Sequence, residues 1–335
     1  MSRRKAQGKL KDVDQSTRPA FEVRVPASTS NLGAGFDCFG LALRLYLTAR
    51  ATFASGSKLP CRVRQTRSEG HSLLPRTAEN LIFRAMCLTA ERLDQRLPPV
   101  RLAVHNEIPL GRGLGSSAAA ILAGVRLGAA LCDAELSSEA LLRIALELEG
   151  HADNLAPSLY GGWTIACQRS TEDVLVLRKR WPSEIKVIII SPDVPLETKR
   201  ARAILPASVS FADAVYNLQR AALLTGALEE RAYELVWEAM RDRLHQGRRE
   251  ALVPGLSEAL RMPRLPGLLG LALSGAGPSV LALALDHFDE IGAQVADCFH
   301  QHEIKTRVRV LEVDDEGMKI RAKGKLGTRR RDNAG

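Results

Sequence analysis

The stretch that decides the fold is residues 100–131, VRLAVHNEIPLGRGLGSSAAAILAGVRLGAAL. Its first five residues alternate apolar and polar side chains, which predicts a β-strand. Residues 116–131 are rich in Ala and Leu and apolar on nearly every side, which predicts a buried helix. The two elements are joined by residues 109–117, where three glycines stand at alternate positions.

This joining loop has the features of an anion site. Glycine readily adopts positive φ and lets a ligand approach bare backbone N–H groups. A helix that begins at Ser116 and Ser117 directs unpaired N–H donors and the positive end of its dipole into the loop. Residues 109–117 therefore predict a phosphate-binding loop.

The loop differs from three familiar glycine motifs. No Gly-Lys-Ser/Thr follows, as a Walker A loop requires. Ser116 and Ser117 stand where the dinucleotide fingerprint needs its third glycine, and no glycine follows Ser117 at the spacing of a nucleophile elbow. Without further motifs, the alternative is a glycine-rich turn that only lets a strand and a helix pack closely.

The net charge of +9 is concentrated at the two ends of the 335-residue chain. Residues 1–20 carry +4 and residues 317–335 carry +6, which leaves −1 for the middle. We interpret residues 1–20 as a basic disordered arm and residues 313–335 as a basic disordered tail. Such tails could hold nucleic acid, acidic lipid or an acidic partner weakly. A dedicated nucleic-acid-binding protein is disfavoured, because the middle is near neutral and only 4% of residues are aromatic.

Cysteine usage and the amino terminus bear on the compartment. The six cysteines form no Cys-x-x-Cys pair, and several stand in apolar runs as buried hydrophobes do. The first twenty residues lack the apolar core of a secretory signal, and no apolar run approaches membrane-spanning length. These features predict a cytoplasmic protein that does not enter a membrane.

A second loop of small residues precedes the phosphate loop. The sequence predicts a strand over residues 21–25 that ends at Pro26, followed by a loop over residues 27–37. Asn31 and Asp37 are its only side chains with strong hydrogen-bonding reach. Such a loop could wrap a small polar ligand, and the alternative is a long tight turn.

A polar cluster follows the helix predicted from residue 137 or 138 to residue 149. The helix stops at Gly150, and His151, Asp153 and Asn154 come directly after it. Glu147 and Glu149 precede this end, although a carboxylate there works against the helix dipole. The arrangement indicates a cationic partner, for which Mg²⁺ is a candidate.

The second half of the chain begins near a boundary placed between residues 178 and 179. A buried strand is predicted over residues 186–190, and helices over residues 211–228 and 229–244. Two of the arginines in this half could clamp a carboxylate, because a planar guanidinium forms a bidentate pair. A late glycine-rich loop over residues 271–281 offers another set of backbone donors.

Taken in order, these motifs closely resemble those of the GHMP kinase superfamily. The resemblance rests on residues 26–37 (PASTSNLGAGFD), 109–120 (PLGRGLGSSAAA), 151–157 (HADNLAP) and 273–281 (LSGAGPSVL), and it covers about residues 20–310. Within the superfamily these motifs are most similar to those of the homoserine kinases. The departures are the two basic tails and Gly247-Arg248, where that family usually has Pro-Tyr.

The resemblance implies an α+β fold of two domains. Residues 21–178 would form an ATP-binding domain like ribosomal protein S5, and residues 179–312 a ferredoxin-like domain. ATP and substrate would meet in the cleft between them.

The resemblance also assigns roles to individual residues. The nucleotide would be bound by Asn80 near the adenine. Its phosphates would be bound by Pro109, Leu110, Gly111, Arg112, Gly113, Leu114, Gly115, Ser116, Ser117, Gly275 and Gly277. Mg²⁺ would be bound by Ser116 and Glu149, with Glu147 as the alternative to Glu149. The substrate would be bound by Asn31, Asp37, His151, Asn154, Arg202 and Arg249. Within this set Asp37 would pair the ammonium and the two arginines the carboxylate, while the catalytic residues would be Asn154, Asp153 and Ser116.

The implied reaction transfers the γ-phosphoryl group of ATP to the hydroxyl of L-homoserine, giving O-phospho-L-homoserine for threonine biosynthesis. Such a transfer depends mostly on in-line positioning and charge neutralisation. We therefore expect no dedicated general base. The nearest rival is a kinase for mevalonate or an isoprenoid intermediate, whose substrates lack an ammonium for Asp37 to pair. The sequence leaves a homodimer open.

Overall fold

The computed structural model describes residues 20–54, 61–68, 79–170 and 173–323. Its strands are β1 (Ala20–Ser30), β2 (Phe39–Phe53), β3 (Cys61–Ser68), β4 (Val100–Asn106), β5 (Trp163–Gln168), β6 (Val174–Lys179), β7 (Lys186–Pro192), β8 (Leu268–Leu273), β9 (Val280–Ala284), β10 (Thr306–Leu311) and β11 (Lys319–Lys323). Its helices are α1 (Leu81–Arg92), α2 (Ser116–Leu131), α3 (Ser138–Glu149), α4 (Ala152–Tyr160), α5 (Thr198–Ala203), α6 (Phe211–Glu229), α7 (Val236–Ala239), α8 (Gln246–Arg249), α9 (Leu256–Leu260) and α10 (Phe288–His300).

The strands form two sheets, and the α+β class is confirmed. The larger sheet has the order β11-β1-β2-β4-β3, and β5 pairs both β2 and β6. Because β2 is 15 residues long, β4 pairs its second half while β5 pairs its first three residues. The smaller sheet is antiparallel with the order β10-β7-β9-β8, so the change from one sheet to the other falls between β6 and β7.

Local sequence signals account for the helices that border the site. The Asn80 side chain caps α1 by accepting from the N–H groups of Ile82 and Phe83, at 3.0 and 3.4 Å. Ser137 caps α3 in the same way, and Gly150 ends that helix with φ +78°. Helix α2 spans the predicted residues, and most of its side chains are buried in the larger core.

The first strand is longer than predicted. It continues through Pro26 to Ser30, with a register shift against β2 between Pro26 and Ala27. Strand β11 pairs only residues 20–24 of β1. Pro26 therefore lies at a bulge beyond that partner, where its missing N–H breaks no pairing with β11. The predicted loop over residues 27–37 is correspondingly shorter and begins at Asn31.

One helix was not predicted and another is broken. The polar cluster after Gly150 forms the first turn of α4, with His151 at the N-cap. The pattern hid this helix because Pro157 lies inside it, and proline usually marks the end of a helix. The helix predicted over residues 229–244 is broken into a 3₁₀ turn at Tyr233–Leu235 and the four-residue α7.

The carboxyl-terminal prediction is wrong for residues 313–323, which we had placed in a disordered tail. Strand β11 pairs antiparallel with β1 through five residue pairs. Asp314 ties the approach to this strand by accepting from the Tyr46 hydroxyl at 2.8 Å. The arm was predicted over residues 1–20, of which Ala20 begins β1; its other residues and the rest of the predicted tail lie outside the described residues. Within the described part of the chain, none of the helices has the length and apolar character needed to cross a membrane.

Candidate active site

Three loops predicted from separate parts of the chain meet in one cleft. The Asn31 amide donates to the Gly275 carbonyl at 3.0 Å, and the Ser274 hydroxyl donates to the Gly113 carbonyl at 2.6 Å. The Ser28 N–H donates to the Leu114 carbonyl at 3.2 Å. Residues of all three loops line the cleft.

The phosphate loop has the backbone that its glycines predicted. Gly111, Gly113 and Gly115 have φ of +63°, +70° and +66°, a region that side chains other than glycine rarely enter. Gly115 is the N-cap of α2, and no side chain caps the helix there. Its first N–H groups are therefore available to an anion, and the helix dipole favours negative charge at the same end.

A second, largely apolar pocket adjoins the loop on the side of α1. It is lined by Asn80 together with Leu47, Ile82, Asn106, Leu110 and Ala120, and it shares Gly111, Ser116 and Ser117 with the cleft. A flat apolar ring joined to phosphates would fit this combination of pocket and loop.

The structure distinguishes the two glutamates of α3. The Glu147 carboxylate is ion-paired with Arg92, outside the cleft. Glu149 lines the cleft and accepts from the Ser117 hydroxyl, while burial and the nearby charge of Asp153 raise its pKa to about 7. Among the described residues no cationic side chain is within 4.0 Å of the Glu149 carboxylate.

The oxygen atoms around Glu149 are suitable ligands for a magnesium ion. Mg²⁺ prefers oxygen ligands and commonly takes one or two carboxylates together with substrate phosphates. Glu149 and the Ser116 and Ser117 hydroxyls supply such oxygens beside the phosphate loop. The described residues contain no cluster of three His, Cys, Asp or Glu side chains that could hold a metal by itself, so a cation here would need the phosphates as further ligands.

Asp153 and Asn154 are held by serines of β1. The Ser28 hydroxyl donates to Asn154 Oδ1 at 2.9 Å, and Asn154 Nδ2 donates to Ser30 Oγ at 3.0 Å. Ser30 also bonds the Asp153 carboxyl, whose pKa is raised because the group is buried and Asp37 lies nearby. The orientation of Asn154 is therefore set by two residues that the sequence analysis had assigned to a loop.

Asp37 and Arg202 are paired with each other. Arg202 Nη1 and Nη2 lie 3.1 and 2.6 Å from the two Asp37 oxygens, a bidentate arrangement. We had expected Asp37 to meet an ammonium and Arg202 a carboxylate. Both expectations fit the structure if a bound ligand replaces part of this ion pair, with its cationic group at Asp37 and its anionic group at Arg202.

Arg249 is the most enclosed cation of the cleft. The residue is only 1% exposed, and burial together with the charge of Arg202 lowers its pKa to about 10. None of the described residues offers it a carboxylate within ion-pair distance. A buried guanidinium without a counter-ion favours an anionic ligand.

Most of the predicted site residues line this cleft: Asn31, Asp37, Pro109, Gly111, Arg112, Gly113, Leu114, Gly115, Ser116, Ser117, Glu149, His151, Asp153, Asn154, Arg202, Arg249 and Gly275. Asn80 and Leu110 line the adjoining pocket instead. Gly277 lines neither cavity; its backbone packs against Gly113. Arg112 also forms an ion pair with Asp193 at 2.9 Å.

Sequence reasoning missed several residues in and around the cleft, four of which contact its charged or polar side chains. Phe36 lies 5.6 Å below the guanidinium carbons of both Arg202 and Arg249, and His245 stacks on its ring. Ser28 and Ser30 share one face of β1 at period two, a signal that was available once the strand was extended. His245 stands three residues after Asp242 and four before Arg249, but the contacts that place it at the site, with Gly33 and Phe36, are distant in the chain.

Comparison with known proteins now identifies the family. The GHMP kinases N terminal domain family matches residues 80–162, and the GHMP kinases C terminal family matches residues 224–301. A homoserine kinase of Desulfitobacterium hafniense is 40% identical over 301 residues, covering 89% of this chain and 99% of that protein. The chain belongs to the homoserine kinase family. A second family member, from Deinococcus radiodurans, is 41% identical over 298 residues, which cover 88% of this chain and 92% of that protein.

Solved structures agree with this assignment. The homoserine kinase of Cytophaga hutchinsonii superimposes with a TM-score of 0.79 at 29% identity, covering 90% of this chain and 97% of that one. A mevalonate kinase of L. major, solved with R-mevalonate, has a TM-score of 0.67 at 14% identity, with coverage of 87% and 94%. The second likeness concerns the fold alone. As a homoserine kinase family member, the chain is a kinase with the GHMP fold, and its family implies ATP as the phosphoryl donor.

Proposed function

We propose that this kinase transfers the γ-phosphoryl group of ATP to the hydroxyl of L-homoserine, with Mg²⁺ bound beside the phosphate loop. The observation that carries the proposal is the arrangement of charges in the cleft. The Asp37 carboxylate and the Arg202 and Arg249 guanidiniums line the same cleft as the bare N–H groups of the phosphate loop. The charged side chains match a zwitterionic amino acid, and the N–H groups of the loop match a neighbouring polyphosphate.

The nucleotide half rests on the loop and the adjoining apolar pocket. The N–H groups at the start of α2 would hold the phosphates, and the pocket that contains Asn80 would take the adenine. Glu149 and Ser116 would hold Mg²⁺, with Ser117 as a further hydroxyl in reach. The ion supplies positive charge that offsets the negative charge of the transferring phosphoryl group.

The acceptor half rests on the charged side chains. Arg249, without a counter-ion among its described neighbours, would bind the substrate carboxylate together with Arg202, and Asp37 would bind the ammonium. Asn154, oriented by Ser28 and Ser30, would then lie beside the substrate hydroxyl with one Oδ1 lone pair still unused. We propose that these residues position the hydroxyl for in-line transfer and that no dedicated base is needed.

The test is ADP release with Mg·ATP and a panel of acceptors: L-homoserine, D-homoserine, L-serine, shikimate and mevalonate. Turnover confined to L-homoserine is expected. Turnover with mevalonate alone would keep the fold and the phosphate loop but contradict the proposed acceptor site. No turnover with any acceptor would contradict the proposal as a whole.

A further inference from the structure

The guanidinium of Arg249 is held in place by three acceptors. Arg249 Nε donates to the Ala201 carbonyl at 3.1 Å. Its Nη1 donates to His245 Nδ1 at 3.1 Å and to the Gly275 carbonyl at 3.3 Å. Since Nε has one N–H and Nη1 has two, these contacts use every hydrogen on both atoms. Only Nη2 remains without a partner among the described residues, while the guanidinium borders the cleft.

This arrangement determines the protonation of His245. Arginine nitrogens can only donate, so His245 Nδ1 must accept and the single ring hydrogen must be on Nε2. His245 Nε2 lies 3.0 Å from the Gly33 carbonyl oxygen, which accepts that hydrogen. The ring is 0% exposed, and its burial lowers its pKa against the opposing charges of Asp242 and Asp37. A protonated ring would present a donor to the Arg249 donor and a second positive charge beside it.

His245 also joins two parts of the cleft that are distant in the chain. Its ring stacks on Phe36 with centroids 4.9 Å apart and planes 26° apart, and Gly33 and Phe36 both belong to the loop that carries Asp37. The backbone N–H of His245 donates to Asp242 Oδ2 at 2.9 Å, and the same carboxylate accepts from Leu244 and Gln246. The imidazole therefore has a fixed backbone on one side and a fixed acceptor on the other.

We propose that His245, as the neutral Nε2–H tautomer, is a positioning residue that sets the direction of Arg249 toward the acceptor carboxylate and couples Arg249 to the Asn31–Asp37 loop. The proposal rests on the proposed function, because it requires an acceptor with a carboxylate. His245 itself lines no part of the cleft. It would act through Arg249 and not by touching the acceptor.

The test compares two ligands that differ only in the carboxylate. L-Homoserine is measured by its KM, and 3-aminopropan-1-ol by its inhibition constant against homoserine. His245→Phe keeps a ring on Phe36 but removes the acceptor for Arg249. It is expected to raise the KM for homoserine about 10- to 100-fold and to leave the inhibition constant of 3-aminopropan-1-ol and the KM for ATP within about twofold. His245→Asn keeps an acceptor near the Nδ1 position and should recover part of the loss.

Gln246→Ala is the matched control. Gln246 Oε1 accepts from the Leu273 N–H at 2.6 Å, so the change removes one buried hydrogen bond from the same helix without touching Arg249. Its effect on the two ligands should be equal. If His245→Phe also weakens both ligands by the same factor and His245→Asn recovers nothing, His245 is merely structural and the inference is overturned.

A measurement on the unaltered enzyme complements the variants. With ¹⁵N-labelled histidine, the buried ring should show the Nε2–H tautomer at neutral pH. An Nδ1–H ring or an imidazolium would overturn the inference even if the variants fail to fold. A wild-type enzyme that does not phosphorylate homoserine would instead contradict the proposed function, so the two failures are distinguishable.

Discussion

At the scale of single residues, the two substrate-facing arginines of the cleft differ in their partners. The Asp37–Arg202 pair is bidentate and each side chain is 31% exposed, so solvent screens it and its exchange is inexpensive. Arg249 is enclosed and lacks a carboxylate neighbour in the described part of the chain. The two arginines therefore have different tasks: Arg202 can move, whereas Arg249 is held fixed.

Arg202→Gln should raise the KM for homoserine about 10- to 100-fold, because one charge-assisted bond to the acceptor carboxylate is lost. The KM for ATP should change little. Steady-state kinetics with each substrate varied separately measures both. Arg243→Gln is the control, since Arg243 pairs with Asp213 at 3.6 Å outside the cleft. A larger effect on ATP than on homoserine would contradict the assignment of Arg202.

Asp153→Asn should lower kcat by less than about 100-fold, the smallest contribution usual for a general base. The reason is that positioning and charge neutralisation carry most of a phosphoryl transfer. Asp153 lines the cleft beside Asn154, so it is the carboxyl to test as acceptor of the hydroxyl proton. A loss far above 100-fold, with the fold and homoserine affinity intact, would show that Asp153 is that base.

The buried His245 should make stability depend on pH. Its pKa is lowered in the folded protein. At a pH below the ordinary histidine pKa, the unfolded chain therefore binds a proton that the folded chain does not bind. Stability is therefore fully present above about pH 6.5 and falls as the pH drops below it. The raised pKa of Glu149 acts in the opposite direction over part of the same range. Thermal unfolding at pH 5–8 should therefore show the effect of His245 as a difference in slope, with the wild type losing more stability than His245→Asn as the pH falls. An unchanged slope in the variant would assign the effect to other groups.

At the scale of elements, the glycine loop and α2 form the part of the site that needs the least help from the rest of the chain. The three left-handed glycines and the uncapped start of α2 follow from local chemistry. The start of α4 does not, because Pro157 obscures its helical pattern. The continuation of β1 past Pro26 does not follow from local sequence either. It is possible because β11 pairs only residues 20–24 of β1, so the missing N–H of Pro26 breaks no pairing with β11.

Gly115→Ala should impair both nucleotide binding and stability. The position has φ +66°, which costs about 1–2 kcal/mol for a residue with a Cβ, and that Cβ would stand 2.0 Å from Ser28 Oγ. We expect a lower Tm and a KM for ATP raised at least about tenfold. Gly226→Ala, in α6 with nothing within 4 Å of its added Cβ, should instead stabilise by up to about 1 kcal/mol. Equal effects of the two changes would contradict this account.

At the scale of the whole molecule, the last described strand, β11, pairs with the first, β1. Strand β11 covers the outer edge of β1, the strand whose far end carries Ser28 and Ser30. An uncovered strand edge is a template for pairing with other chains. The last described residues therefore stabilise the sheet from which the site is built.

Removing residues 319–335 should lower Tm and promote aggregation, because the five pairs between β11 and β1 are lost. Removing only residues 324–335 keeps β11 and should leave Tm and kcat/KM unchanged. Differential scanning calorimetry and light scattering of the two truncated proteins measure the difference. The interpretation of β11 as a structural strand is wrong if the longer deletion matches the shorter one.

The sequence by itself determined the features that depend on neighbouring residues: the phosphate loop, helices α2 and α3, and the motifs that indicate a GHMP kinase. These are decided by propensity, periodicity and glycine conformation within a few positions. Only the tertiary structure decided that Glu149 and not Glu147 faces the cleft, that Asp37 pairs Arg202, and that His245 lies against Gly33 and Phe36. The physical reason is distance along the chain: Asp37 and Arg202 are 165 positions apart, and His245 and Gly33 are 212 apart. No local pattern records which side chains meet after such separations, because burial and packing of the whole core bring them together.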